Sequence, residues 1–161
     1  MDDSIVVGIA DYKLARGKQK LLTRDLGSCI AIALKDPKCE VGGLLHIMLP
    51  EAPKNVEETQ LPKYADSGIE LMVFKLRVMG ADPKRLVAKI AGGAHIIHTQ
   101  GVPESEDVSS RNLRAVRKKL TEMSIPVLSC EVGDNFPRTV IFEPESGVMQ
   151  IKTVGKQDRF I

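Results

Sequence analysis

The stretch from Thr23 to Pro50, T-R-D-L-G-S-C-I-A-I-A-L-K-D-P-K-C-E-V-G-G-L-L-H-I-M-L-P, constrains the fold of this chain more than any other. Ile30, Ile32 and Leu34 alternate with Ala31, Ala33 and Lys35, the period of a strand, and Val41 to Leu49 is a second β-compatible run. Between them, Asp36-Pro37-Lys38-Cys39 carries the residues a type I turn prefers at its first two positions. With Pro37 and Lys38 as a two-residue loop, Cys29 faces His46 across an antiparallel pair, with Cβ atoms roughly 4.5–5.5 Å apart. Pro37 suits the primed two-residue turns poorly, which leaves a longer loop open. A one-residue slip would turn His46 to the opposite face, and a bulge at Gly42-Gly43 would restore the facing.

A chain of 161 residues is most simply one domain, residues 1–161, with room for a proper core. A net charge of +2, with two Tyr, four Phe and no Trp, argues against nucleic acid as a partner. The start, Met1-Asp2-Asp3-Ser4, is acidic where a signal peptide would be basic, and no apolar run approaches a membrane span. Cys29, Cys39 and Cys130 are an odd number without a repeat spacing. They predict reduced thiols and a cytoplasmic location rather than a disulfide framework.

Along the chain, Ile5 to Ala10 reads as a buried strand, and Arg16 to Lys20 as a polar turn leading through Leu21 into the hairpin. Pro50 to Pro62 is a loop. Ile69, Met72, Val73, Leu76 and Met79 recur at helical spacing over about Lys63 to Met79, with Gly80 placed to cap the C-terminus. Arg85 to Ala91 is a strand. Ser109 and Ser110 are candidate N-caps of a second helix, whose apolar face holds Leu113, Val116, Leu120 and Met123. Pro126–Val132, Thr139–Phe142 and Val148–Val154 are strands. Three strands, helix, strand, helix and three strands is no regular βαβ alternation, so the expectation is an α+β layered fold with a largely antiparallel or mixed sheet.

Leu26-Gly27-Ser28 precedes Cys29, and a glycine there lets the backbone turn so that successive N–H groups point beside the thiol. A free thiol has a pKa of about 8.5, and an imidazole within reach converts it to the attacking thiolate–imidazolium form. Thr23 can supply a hydroxyl acceptor for the imidazole's other nitrogen. Each residue also has a structural reading: Cys29 as a small buried hydrophobe, His46 as a satisfied core histidine, Thr23 as a strand former. Cys39 and Cys130 read as structural. His95 and His98 lack a nearby third ligand, so no zinc site is expected, and Gly92-Gly93-Ala94 matches no phosphate loop. Arg111-Asn112, opening a helix, either binds a polar or anionic group or caps and solvates that helix.

Leu26-Gly27-Ser28-Cys29 together with His46-Ile47-Met48-Leu49-Pro50 resembles the CheD family of chemoreceptor glutamine deamidases. The likeness takes in Lys63-Tyr64-Ala65-Asp66, Met79-Gly80-Ala81, Ala88-Lys89-Ile90-Ala91-Gly92-Gly93-Ala94 and Arg111-Asn112. It implies a cysteine hydrolase whose catalytic residues match Cys29, His46 and Thr23, with Gly27, Ser28, Arg111 and Asn112 expected at the substrate. It implies a layered α/β/β fold like that of cytotoxic-necrotizing-factor deamidase toxins. The implied substrates are glutamines on the cytoplasmic helices of chemoreceptors, with no cofactor and no metal, and a CheC-type phosphatase is an implied partner. An adaptor for such a phosphatase with little catalysis is the competing reading, and a thiol redox sensor a third. Ser109 stands where the family has glycine, and Glu131-Val132-Gly133-Asp134-Asn135-Phe136-Pro137-Arg138 lacks one glycine of the family segment. Asp25 adds an acid that opposes a thiolate.

Overall fold

Five strands precede the first long helix, two more than the sequence pattern predicts. The computed structural model describes residues 3–161, so Met1 and Asp2 of the acidic start lie outside the described residues. In chain order the elements begin β1 (Ile5–Val6), β2 (Asp11–Arg16), β3 (Leu21–Leu26), β4 (Ile30–Lys35) and β5 (Val41–Ile47). A 3₁₀ turn leads to α1 (Ala65–Val78), followed by β6 (Val87–Gly92) and α2 (Val108–Glu122). The chain closes with β7 (Val127–Val132), β8 (Arg138–Phe142), β9 (Met149–Lys152) and β10 (Arg159–Phe160). β2 escapes the sequence reading because it is an edge strand broken up by Asp11, Lys13 and Arg16, the charges that keep edges from pairing further.

Two five-stranded sheets result, ordered β1-β3-β8-β9-β10 and β2-β5-β4-β6-β7. β1–β3 and β6–β7 pair parallel, and the other ladders are antiparallel. Alternation along β4 sorts the core into two layers. Ile30, Ile32 and Leu34 pack with α1 and α2, while Ala31 and Ala33 face the other sheet with Leu44, Ala91, Val140 and Phe142. Small residues on that inner face let the two sheets close together. The expected α/β/β layering with mixed, largely antiparallel sheets is what forms. Gly43 marks the tightest contact of the helical layer, since a Cβ there would lie 2.7 Å from Leu14 Cδ2 and 2.8 Å from Met72 Sδ.

The organising hairpin departs from expectation in register. Lys35 pairs with Gly42 and Ala31 with His46, so Asp36 to Val41 lie between the last paired residues, two more than a tight two-residue turn would leave between Lys35 and its partner, and no bulge forms at Gly42-Gly43. Cys39 N–H still closes a turn on Asp36 C=O at 3.1 Å, the turn that Asp36-Pro37 predicts. The shift is two residues, which preserves parity: His46 and Cys29 share the inner face although they are not directly opposed. Thr23 belongs to β3 in the other sheet, not to the hairpin. α1 ends as predicted, with Ala81 N–H reaching back to Leu76 C=O at 3.0 Å past Gly80. The N-cap of α2 is Asp107, whose carboxylate accepts Ser110 N–H at 2.9 Å, in place of Ser109 or Ser110.

Candidate active site

The chain changes sheets between β3 and β4, and the change is built from an irregularity at each end. β3 pairs Thr23 with Val140 and Leu26 with Arg138, so one extra residue bulges on β3, with Asp25 at φ 57°. Aspartate tolerates that left-handed conformation better than most residues. The expected tight turn therefore sits at Asp25, an exposed bulge residue, and not at Gly27, whose φ is not positive. Gly27 has another use: a Cβ there would lie 3.3 Å from Ile96 Cδ1, so glycine lets Ile96 settle over the crossing.

On the far side of the crossing, β6 presses against Cys29. Gly93 N–H donates to Cys29 C=O and Ala94 N–H to Gly27 C=O, both at 2.8 Å. Gly92 has φ 113°, and a Cβ there would collide with the Cys29 carbonyl oxygen. Among the described residues, the amides of Ser28 and Cys29 have no oxygen acceptor. Cys29 is half-buried against the layer between the sheets.

Thr23 and His46 meet across that layer. Thr23 Oγ1 donates to Val7 C=O at 2.8 Å and lies 2.7 Å from His46 Nδ1. A hydroxyl has one proton, and Val7 takes it. Thr23 can therefore only accept from the ring, so Nδ1 carries the hydrogen and Nε2 keeps its lone pair. That Nε2 is buried and has no protein partner. Burial pushes the His46 pKa down to about 4, and burial also raises that of the Cys29 thiol, with the Cys29 amide opposing. Both shifts oppose the thiolate–imidazolium pair expected from sequence; the resting state is thiol and neutral imidazole.

Asn112 lies beneath the crossing. Its Nδ2 donates to Ser28 C=O and to Met48 C=O, each at 3.0 Å, tying the run before Cys29 to the end of the His46 strand. It is fully buried with Oδ1 unpartnered, so its amide nitrogen is spent on the protein rather than turned to a substrate. One helical turn earlier, Ser109 Oγ donates to Ala94 C=O at 2.5 Å. A tether thus stands where the family has glycine. Arg111 is exposed and braced on Glu106 C=O at 3.2 Å. The bracing role of Ser109 and Asn112 is absent from the sequence reading, although two polar residues extending an apolar helical stripe are a signal for it.

The other sequence candidates fall elsewhere. His95 Nδ1 sits 2.6 Å from Asp107 Oδ2, and no cluster of metal-ligating residues occurs among the described residues. Cys39 packs beneath the helical layer, but Cys130 is exposed, contrary to the structural role expected of it. Asp134, in place of a family glycine, keeps the left-handed turn at φ 59°. No helix among the described residues is long and apolar enough to cross a membrane.

Layers and site together define a two-sheet α+β protein with a threonine-held histidine at the seam of its sheets and a half-buried cysteine on the same inner face. The family described as "CheD chemotactic sensory transduction" matches residues 48–153, and the chain belongs to that family. Relatives named "Probable chemoreceptor glutamine deamidase CheD" are similar to this chain over most or all of its length. That of Syntrophomonas wolfei is 40% identical over 161 residues, covering 100% of both chains. That of Desulforamulus reducens is 43% identical, covering 94% of this chain and 91% of its own length. That of Clostridium tetani is 44% identical, covering 92% of this chain and 90% of its own.

Proposed function

We propose that this chain is a protein-glutamine glutaminase that converts glutamine side chains on the cytoplasmic helices of chemoreceptors to glutamate, acting in the cytoplasm through a Cys29 thioester. The observation that carries the reading is the Thr23–His46 contact, which leaves a basic Nε2 unpartnered on the inner face that Cys29 shares. The names of the full-length relatives supply the substrate class.

Cys29 Sγ–H gives its proton to His46 Nε2 as sulfur bonds to the carboxamide carbon, so no charged pair has to exist beforehand. The N–H groups of Ser28 and Cys29 are the donors available to the oxyanion, a role worth about 2.7–4 kcal/mol per donor. His46 Nε2–H then protonates the departing nitrogen, the C–N bond breaks and ammonia leaves. Water next gives a proton to Nε2 and attacks the thioester carbon. The C–S bond breaks, sulfur recovers the proton, and glutamate remains. Thr23 holds the ring against rotation throughout, and Asn112 keeps the two strands in step. Arg111, exposed on α2 next to the buried Asn112, is available to a polar group on the receptor helix.

The test is incubation of the protein with a purified receptor cytoplasmic fragment, following ammonia release and mapping the amide-to-acid change by mass. Conversion that disappears in Cys29→Ala supports the thioester route, and undiminished conversion in that variant refutes it. A protein that binds a CheC-type phosphatase equally well as Cys29→Ala and releases no ammonia in either form is an adaptor instead.

A further inference from the structure

A second constellation occupies the opposite end of the strands that build the candidate active site. Lys35 ends β4 and Lys89 lies in mid-β6, both on the inner face, where the turn between β8 and β9 covers them. Lys35 Nζ donates to Glu145 C=O at 2.6 Å and Lys89 Nζ to Gly147 C=O at 2.8 Å. The two side chains crowd one residue, since a Cβ on Gly147 would lie 3.7 Å from Lys35 Nζ. Neither forms an ion pair among the described residues. Burial and the neighbouring Lys35 charge lower the pKa of Lys89. Two like charges converge with no counter-charge.

They converge on a cleft. It has a volume of about 200 Å³ and an apolar wall from Ala33, Pro37, Val87, Leu128 and Phe142, with Lys35, Lys89 and Ser146 at its polar edge. Each ammonium has three donors, and one from each is used on the turn. Ser146 Oγ accepts Val148 N–H at 3.2 Å, so its own proton is free to donate. Donors without a carboxylate beside an apolar wall are the pattern of a ligand site, in which a few polar groups orient an apolar body. The volume corresponds to about seven groups the size of water, well short of a drug-sized molecule.

We propose that this cleft binds a small organic carboxylate with a short apolar body, its carboxylate between Lys35, Lys89 and Ser146 and its body against Leu128 and Phe142. The site is distinct from the candidate active site. Six residues of strand separate Cys29 from Lys35, roughly 20 Å at strand rise, and the proposal does not rest on the deamidase reading. The alternative is that the two lysines serve solely to fasten the turn.

Sodium hexanoate, acetate and hexanol, titrated into the ¹⁵N-labelled full-length protein, separate the two. Hexanoate is expected to give saturable shifts at the Ala33, Val87, Leu128 and Gly147 amides. Acetate has the charge without the body and should bind at least tenfold more weakly, and hexanol, with the body alone, should leave these amides unmoved. Lys35→Met and Lys89→Met keep the apolar stems, and each should weaken hexanoate about tenfold, as loss of one charge-assisted hydrogen bond does. Alkylation of Cys29 should proceed unchanged in both. Hexanoate shifts that do not saturate, or that hexanol reproduces, overturn the proposal in the wild-type protein alone. Undiminished hexanoate binding in either folded lysine variant overturns it as well.

Discussion

Asp36 and His46 are both polar side chains sealed from solvent, 0% and 1% exposed, and the fold treats them in opposite ways. Asp36 is saturated. Its carboxylate accepts Lys38 N–H at 2.9 Å, Asp82 N–H at 2.8 Å, and Arg85 Nε–H and Nη2–H at 2.9 and 2.8 Å. The Arg85 side chain above all holds its pKa far below the usual carboxylate range. His46 is half-satisfied, held at Nδ1 by Thr23 and left without a partner at Nε2. A charged group with every lone pair occupied ties a loop in place and has nothing left for chemistry. A neutral group with one open lone pair costs the fold stability and retains a base.

Removing each group should separate these uses. His46→Gln should lower deamidation by about 10⁴-fold or more, the scale on which a nucleophile's base is lost, while circular dichroism shows an unchanged fold. An active His46→Gln variant would place the base elsewhere.

The pH dependence of stability should distinguish the two groups next. His46 is neutral when folded, with a pKa near 4, and takes up a proton when unfolded below its ordinary 6.5. The unfolded state therefore binds more protons between those values, and stability falls as pH drops from 6.5 to 4, by about 3 kcal/mol in all. Asp36 works in a lower window. Its folded pKa is depressed, so its contribution is complete above its ordinary 3.8 and is lost only as the pH falls below that. Urea titrations at a series of pH values should show the upper slope vanish in His46→Gln and persist in Asp36→Asn.

At neutral pH, Asp36→Asn should cost about 2 kcal/mol, because a charged acceptor of several hydrogen bonds becomes neutral. Deamidation per folded molecule should stay near wild type. The smallest effect is expected at Thr23. Thr23→Val keeps the shape of the side chain and removes one hydrogen bond to the ring, about tenfold in kcat, with KM unchanged and Thr23→Ser restoring the rate. A Thr23→Val variant at full rate would mean that packing alone orients the imidazole.

How much of this was legible depended on the range of the interaction. Alternation in Ile30–Lys35, the helical spacing of Ile69 to Leu76 and the Asp36-Pro37 turn are local patterns, and each appears where the sequence places it. The register of the hairpin was not local. A loop two residues longer on its β5 side than a tight turn moved His46 from Cys29 to Ala31, and only the even size of the shift kept both on one face. β2 and β10 are short or charged edge strands whose partners, not their compositions, define them. Asn112 looked like a polar residue opening a helix, and the packing of that helix under two strand ends made it a buried brace.

Side-chain period and turn chemistry act over a few residues, so the strands of the hairpin, the capped first helix and the presence of a cysteine and a histidine in that segment can be read from the chain alone. Packing in three dimensions settles that Thr23 approaches from the opposite sheet, that Val7 takes its proton and that His46 keeps one nitrogen open. Those outcomes depend on which groups lie across the seam between two sheets, and neither strand's own residues encode its distance to the other.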